Sequence, residues 1–381
     1  MSSAWPLVAL GEMLTHRKEF IQINDLDKYK RCRVKLHAQG IVLRDAVTGA
    51  EIKTKKQQVC KAGEFLVAEI DAKVGGFGIV PDELNGSIVS SHYFLFGINE
   101  SKLDRRFLDF YSRTSVFRDQ VAAQGSTNYA AIRPNDVFGY TIPLPPLAEQ
   151  RRIVSRIEEL AVKIDEASGL RRQALEEAEF LCRSLVFGDK NSVLTPMHEL
   201  VRPRGHTVNV KADETYHFAG VYCFGRGVFR GQKKSGMDFA YKQLGQLKAG
   251  NFVYPKLMAW EGALGVVPQE CDGLYVSPEF PIFEVMEDRV LPETLDVYFR
   301  TPSVWPQVAG ESTGTNVRRR RLNPKDFLSY SIPLPSMQNQ LRLRKVTQHV
   351  DALKPIQVET KAELDAMLPS ILDKAFKGGF Q

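Results

Sequence analysis

The 381-residue chain is 43% hydrophobic and 25% charged, the balance of a packed soluble protein and not of a disordered one. Fifty-one Lys and Arg against forty-five Asp and Glu leave a net charge of +6, too small an excess to name a polyanionic partner by itself. The start MSSAWPLVALGEML has no basic leader ahead of a sustained apolar core, and no stretch reaches the ~18 apolar residues of a membrane span, so a cytoplasmic protein without membrane contact is expected. Cys32, Cys60, Cys182, Cys223 and Cys271 are scattered without a CxxC pair and read as reduced, mostly buried thiols.

In chain order, the first legible elements are β-rich runs separated by glycines and prolines. FLVAEI (residues 65–70) and SIVSSHYFLF (residues 87–96) carry β-branched and aromatic residues between Gly63, Gly75, Gly76, Gly78, Pro81 and Gly97. A helix is then predicted to open at Ser101, with Asp104 as a capping partner, and to run through Phe107, Leu108, Phe110 and Tyr111. From Gln150 the pattern changes to steps of three and four: Ile153, Ile157, Leu160, Ile164, Ala167, Ala174, Ala178, Leu181 and Leu185, interrupted by Arg171. Such a seam over roughly forty residues predicts a helix of ~60 Å that needs a partner helix.

The chain then repeats itself. Strand-like runs recur at residues 251–258 and 275–285, and a helix with Pro292 in its first turn is predicted to close near Thr301 and Pro302. A second seam follows at Leu343, Val346, Val350, Leu353, Leu364, Met367 and Ile371, with Gln357 and Thr360 as polar interruptions and Pro355 expected to kink or break the helix. Residues 63–96 and 250–283 align without a gap and share twelve identities, among them Gly63/Gly250, Gly75/Gly262, Pro81/Pro268 and Phe96/Phe283. Chance would give roughly two at about 6% per position. After small insertions, GYTIPLPPLAEQRR (residues 139–152) faces SYSIPLPSMQNQLR (residues 329–342), keeping Tyr140/Tyr330, Gln150/Gln340 and Arg152/Arg342. The chain is a tandem duplication of two α plus β units, each with a twisted sheet and each followed by a long helix. Antiparallel pairing of the two helices, parallel pairing, and pairing with another chain all fit the seams.

The segments QGSTNYAAIRPNDVFGYTIPLPPLAEQRRIVSRI and LDAMLPSILDKAFKGGF, in this order and duplicated, resemble the specificity subunits of Type I restriction-modification systems. The departures lie in the second copy, where Ser336 stands for the second proline of the mark and Asn339 for Glu149. The resemblance implies an α+β fold of two target recognition domains (residues 1–146 and 191–336), joined by a central helix (147–190) and a C-terminal helix (337–381) in an antiparallel coiled coil. It implies a non-catalytic chain for phage defence that reads a split site in double-stranded DNA with a fixed gap. Its partners would be two methyltransferase subunits, which bind S-adenosylmethionine, and restriction and motor subunits, which use ATP and magnesium. A related system, in which methylation and cleavage share one partner chain, is implied as an alternative.

Candidate DNA-binding residues follow from charge and from the repeat. Lys53, Lys55, Lys56, Arg133, Arg226, Arg230, Lys233, Lys234 and the run Arg318, Arg319, Arg320 and Arg321 suit phosphate contact, with a solvated basic surface as the competing reading. Asn128 and Asn316, which match between copies, read adenine or cap a turn. Tyr254 and Trp260 stack on bases or, by preference, belong to the core. The coiled-coil spacer is assigned to Ile153, Ile157, Leu160, Ile164, Leu181, Leu185, Leu343, Val346, Val350, Leu353, Leu364 and Ile371, with Arg171 and Gln357 as candidate register-setting polar residues. Pro81-Asp82 with Glu100-Ser101-Lys102 matches the loose PD…ExK spacing of metal-dependent nucleases, but the second copy lacks it. No GxxxxGK[ST] loop or Asn/Asp-Pro-Pro-Tyr methyltransferase motif is present. A coiled-coil scaffold that binds only proteins remains the other reading.

Overall fold

The computed structural model describes residues 5–123, 131–310 and 320–377. The chain divides into two compact units, Met1–Gly169 with Glu359–Gln381, and Leu170–Val358. Both unit boundaries fall inside the two long helices, Leu147–Phe187 and Met337–Phe376.

In the first unit a four-stranded antiparallel sheet has the order Leu14–Arg17, Tyr93–Ile98, Phe65–Ala68, Phe77–Ile79. A five-stranded sheet has the order Phe20–Gln22, Lys56–Val59, Ile88–Val89, Lys28–Val34, Ile41–Thr48, with a single parallel pairing, Arg31 to Ile88. The strand Phe65–Ala68 is buried on both faces because alternate side chains enter different cores. Phe65 and Val67 join Phe77, Phe107 and Phe117 under the helices, while Leu66 and Ala68 join Cys32, Val34, Ile41 and Val89 against the five-stranded sheet. Strand Leu7–Ala9 pairs with Thr141–Pro143, which ties the start of the unit to the Pro-rich mark.

The second unit repeats this plan. Its four-stranded sheet runs Val201–Arg204, Ile282–Val285, Phe252–Val253, Gly265–Val266, and its five-stranded sheet runs Val208–Asn209, Gln243–Gln246, Tyr275–Val276, Thr215–Tyr222, Gly227–Ser235. The backbone hydrogen bonds repeat at a constant displacement of 187 residues well outside the segment where identities are dense. Met13 N to Leu10 O becomes Leu200 N to Met197 O, Ile23 N to Lys55 O becomes Val210 N to Lys242 O, and Gly49 N to Asp27 O becomes Gly236 N to Glu214 O. The hydroxyl of Tyr29 accepts from the Asn24 N–H, as that of Tyr216 does from Lys211.

Three local expectations are corrected. The first helix opens at Arg105, not Ser101; Asp104 is its N-cap and accepts from the Arg106 and Phe107 N–H groups, while Ser101 is held in a turn by Asn99. Residues 87–96 form two strands, Ile88–Val89 and Tyr93–Ile98, in different sheets, because a turn at Ser90 intervenes; Ser277 does the same between Tyr275–Val276 and Ile282–Val285. The C-terminal helix continues through Pro355. That ring stands on the exposed side, where water can satisfy the carbonyl that loses its N–H partner.

The helix pairing is antiparallel in each unit. In the first, Ile153, Val154 and Ile157 from the start of the central helix pack with Leu372, Ala375 and Phe376 from the end of the C-terminal one. In the second, Cys182 and Val186 near the end of the central helix pack with Leu343 near the start of its partner. The guanidinium of Arg171 donates to the Gln357 carbonyl, so these two polar interruptions meet. Of the other seam positions, Leu160, Ile164, Leu185, Val346, Val350, Leu364 and Ile371 are half-buried and Leu353 is exposed. Leu181 is 45% exposed, whereas Cys182 is buried. Twenty-eight residues beyond Ile153 complete eight turns only in a coil wound to 3.5 residues per turn; a straight helix of about 3.6 per turn needs twenty-nine and arrives at Cys182.

One buried glutamine fastens each unit to its helix. Gln150 accepts from the Asp104 N–H at 2.8 Å and donates to the Lys102 and Pro145 carbonyls, both at 2.9 Å. Gln340 accepts from the Leu291 N–H at 2.8 Å and donates to the Pro335 carbonyl at 2.9 Å. The departures Ser336 and Asn339 acquire a reason here. The Asp189 carboxylate accepts from the Ser336 N–H, the Ser336 hydroxyl and the Asn339 amide at 2.7–2.9 Å, joining the end of one helix to the start of the other. A proline at 336 would lack the N–H, and Glu149 of the first copy instead pairs with Arg152.

Candidate nucleic-acid interface

The candidate cations are spread over several elements of each unit. Lys53 is exposed, and the Lys56 ammonium lies 4.8 Å from the Phe20 ring centroid. Lys55 is turned inward on the Asp25 carboxylate and the Gly49 carbonyl, which occupies its charge within the fold. Arg133 is exposed just before the short helix Pro134–Gly139. Arg321 pairs with Glu279 at 3.1 Å and Arg320 is half-buried. Asn128, Asn316, Arg318 and Arg319 lie outside the described residues. Of the two candidate aromatics, Tyr254 is fully buried, and Trp260 is half-buried with its Nε1 donating to the Leu257 carbonyl at 2.9 Å.

Arg226, Arg230, Lys233 and Lys234 belong to one hairpin, Thr215–Tyr222 with Gly227–Ser235. At its tip the Arg226 guanidinium sits 4.6 Å from the Tyr222 ring centroid, and Tyr222 stacks on Phe229 with centroids 3.8 Å apart and ring planes 18° from parallel. Phe224 is 62% exposed and has a φ of +62°, a left-handed conformation that disfavours a bulky residue.

The matching hairpin of the first unit, Lys28–Val34 with Ile41–Thr48, holds cations that reading the sequence for clusters missed: Lys28, Lys30, Arg31, Arg33, Lys35 and Arg44. They are separated along two strands, so only the pairing of those strands brings them onto one element. Arg31 binds Asp45 through two hydrogen bonds of 2.7 Å, which hold the Asp45 carboxyl below its ordinary pKa and raise that of Arg31. The other five are exposed.

Among the described residues no group of three or more His, Cys, Asp or Glu could hold a metal ion, and Asp82 of the PD…ExK match faces Arg105 at 3.8 Å. No described helix is long and apolar enough to cross a membrane.

Comparison with known proteins agrees with this architecture. A family described as the Type I restriction modification DNA specificity domain matches residues 3–176. The specificity subunit of the Type I restriction enzyme EcoKI of Escherichia coli K12 is 21% identical over 306 residues, 71% of this chain and 65% of that one, so the chain spans just under two thirds of that relative. The crystal structure of the HsdS subunit from Thermoanaerobacter tengcongensis superposes with a TM-score of 0.59 at 23% identity, covering 99% of this chain and 97% of that one. A chain from a structure of type I R-M system assembly and conformational transition gives 0.66 at 22% identity, covering 99% and 98%. Residues 3–176 match that DNA specificity domain and the second half repeats its strand order, so the chain is similar in sequence and fold to the specificity subunits of Type I restriction-modification systems.

Proposed function

We propose that the chain is the sequence-reading subunit of a restriction-modification complex, with each unit recognising one half of a split site in double-stranded DNA. The observation that carries this reading is the duplication itself: two scaffolds share one strand order and one hydrogen-bond plan, yet differ in their exposed side chains. Two such heads suit two unequal half-sites. DNA affinity rests largely on phosphate neutralisation, and sequence is read by a few side chains at base edges. Lys53, Lys56, Arg133, Arg230, Lys233, Lys234, Arg320 and Arg321 supply phosphate contacts in this reading, whereas Lys55 serves its own loop.

Catalysis falls to partners: two methyltransferase subunits that bind S-adenosylmethionine, and restriction and motor subunits that use ATP and magnesium. Methylation sequencing of cells that carry the chain with its methyltransferase tests the proposal. A motif of two half-sites separated by a gap of constant length is expected; one uninterrupted motif would refute it. Affinity of the assembled complex should also fall steeply with salt.

A further inference from the structure

We propose that the two hairpins at residues 28–48 and 215–235 are the ribbons that enter the DNA groove, and that their tips, residues 35–39 and 222–226, select the bases of the two half-sites. The inference rests on the DNA-reading function above and locates it on one element of each unit.

Charge is the first observation. The first hairpin carries six Lys and Arg against Asp45 alone, and the second carries four with no Asp or Glu, giving +5 and +4. Together these exceed the +6 of the entire chain, so the remainder is net acidic. Under the displacement of 187 residues, none of these cations coincide: Lys35 faces Tyr222, Arg33 faces Gly220, and Arg226 faces Gln39. Two elements with unlike sequences have both become strongly basic at different positions. A solubilising surface would not need to concentrate on the same hairpin twice, whereas binding two different stretches of one polyanion would place charge there.

The second observation is the construction of the tips. Each is anchored by a matching pair of backbone hydrogen bonds. His37 N and Ala38 N donate to the Val74 and Gly75 carbonyls at 2.7 and 2.9 Å, and Phe224 N and Gly225 N donate to the Glu261 and Gly262 carbonyls at 2.8 and 3.1 Å. His37, Ala38 and Phe224 are the described non-glycine residues with positive φ. Such strain persists where surrounding structure imposes it, and it concentrates at functional sites. The glycine beneath each tip is required by space. A Cβ on Gly75 would lie 2.5 Å from the Ala38 nitrogen, and one on Gly262 would lie 2.5 Å from the Trp305 ring. The repeat therefore retains the anchor while the presented residues change from Lys-Leu-His-Ala-Gln to Tyr-Cys-Phe-Gly-Arg.

Shape is the third. The major groove admits a two-stranded ribbon, and an arginine or lysine at its edge pairs with guanine while glutamine pairs with adenine. A bulge interrupts both hairpins at the corresponding place, between Arg31 and Cys32 and between His217 and Ala219, adding the twist that a groove-following ribbon needs.

The test uses the complete methyltransferase complex with Arg226→Gln, which installs the residue of the other tip on an exposed position. Sequencing the methylated motif should show discrimination at one base pair of a single half-site falling about tenfold or more, with the other half-site unchanged. Gln39→Arg should act on the other half alone. Lys233→Gln should instead weaken binding to all sequences alike and lower the salt slope by about one. As a second measurement, a photo-crosslinking amino acid at position 224 should attach to bases within one half-site. Both motifs intact in the two tip variants, or crosslinks absent while the complex still methylates, would overturn the assignment of the hairpins. A wild-type complex that marks no bipartite site would instead overturn the function on which it rests.

Discussion

Replacing Gln150 with alanine should uncouple the first unit from its helix at a cost that the geometry sets. The side chain is fully buried and satisfies one N–H and two carbonyls. Truncation removes the partner of all three: the Pro145 carbonyl is buried and costs about 1–3 kcal/mol when left alone, whereas the Asp104 N–H and the Lys102 carbonyl are partly exposed, regain water and lose only about 0.5–1 kcal/mol each. The expected total is about 2–5 kcal/mol, a large share of the 5–15 kcal/mol that holds a typical domain. Gln150→Glu is the sharper variant. Its carboxylate would face two carbonyls in a buried site, which raises its pKa, so this form is less stable as pH rises through that value and recovers as pH falls and the carboxyl becomes a donor. Urea unfolding followed by fluorotryptophan NMR separates the units, since Trp5 lies in the first and Trp260 and Trp305 in the second. A loss below about 1 kcal/mol at the Trp5 signal for Gln150→Ala, or no pH dependence for Gln150→Glu, would refute the reasoning.

Ser336→Pro should loosen the start of the C-terminal helix, seen as faster amide exchange there, because two of the four donors to Asp189 disappear and the Asn339 amide and the Asn191 N–H remain. The Ser336 hydroxyl foremost, then the N–H groups of Asn191 and Ser336 and the Asn339 amide, hold the Asp189 carboxyl at about 2, below its ordinary value. A depressed carboxylate stabilises the fold above its unfolded pKa of about 3.9, and that contribution is lost only as pH falls through the folded value. The wild-type protein should therefore keep this protection at pH 5 and lose it toward pH 2, while Ser336→Pro has a weaker protection throughout; a wild-type loss already complete at pH 5 would contradict the assignment. Tyr254→Phe should raise the unfolding midpoint of the second unit by an amount worth about 1–2 kcal/mol, because the Tyr254 hydroxyl is buried without a partner among the described residues. A destabilised Tyr254→Phe protein would show that the hydroxyl is satisfied.

The helices and the duplication were legible because each rests on a pattern that local physics enforces. Seams of apolar residues at three and four steps announced both long helices, and glycines with positive φ, such as Gly63 and Gly250, preserved identity between the copies. The repeat upstream of residue 63 was obscure for a physical reason: its matching hydrogen bonds, such as those of Ile23 and Val210, join backbone groups that place little demand on the side chain. Counting heptads assigns Leu181 to the seam, but the fold buries its neighbour Cys182 and leaves Leu181 exposed. The cations of the first hairpin escaped notice because Lys28, Arg33 and Arg44 form no run in the chain and converge only through strand pairing. Ser336 and Asn339 depart from the motif where Asp189, 147 and 150 residues away, takes hydrogen bonds from both, a partnership that no local pattern in the sequence announces.

Anchoring each tip by amide and carbonyl groups has an evolutionary consequence. Because the moorings at Gly75 and Gly262 are blind to the identity of most residues they hold, single-codon changes at the tip alter what is presented without first destabilising the domain. Such a scaffold lets specificity drift in small steps while foldability stays under separate selection.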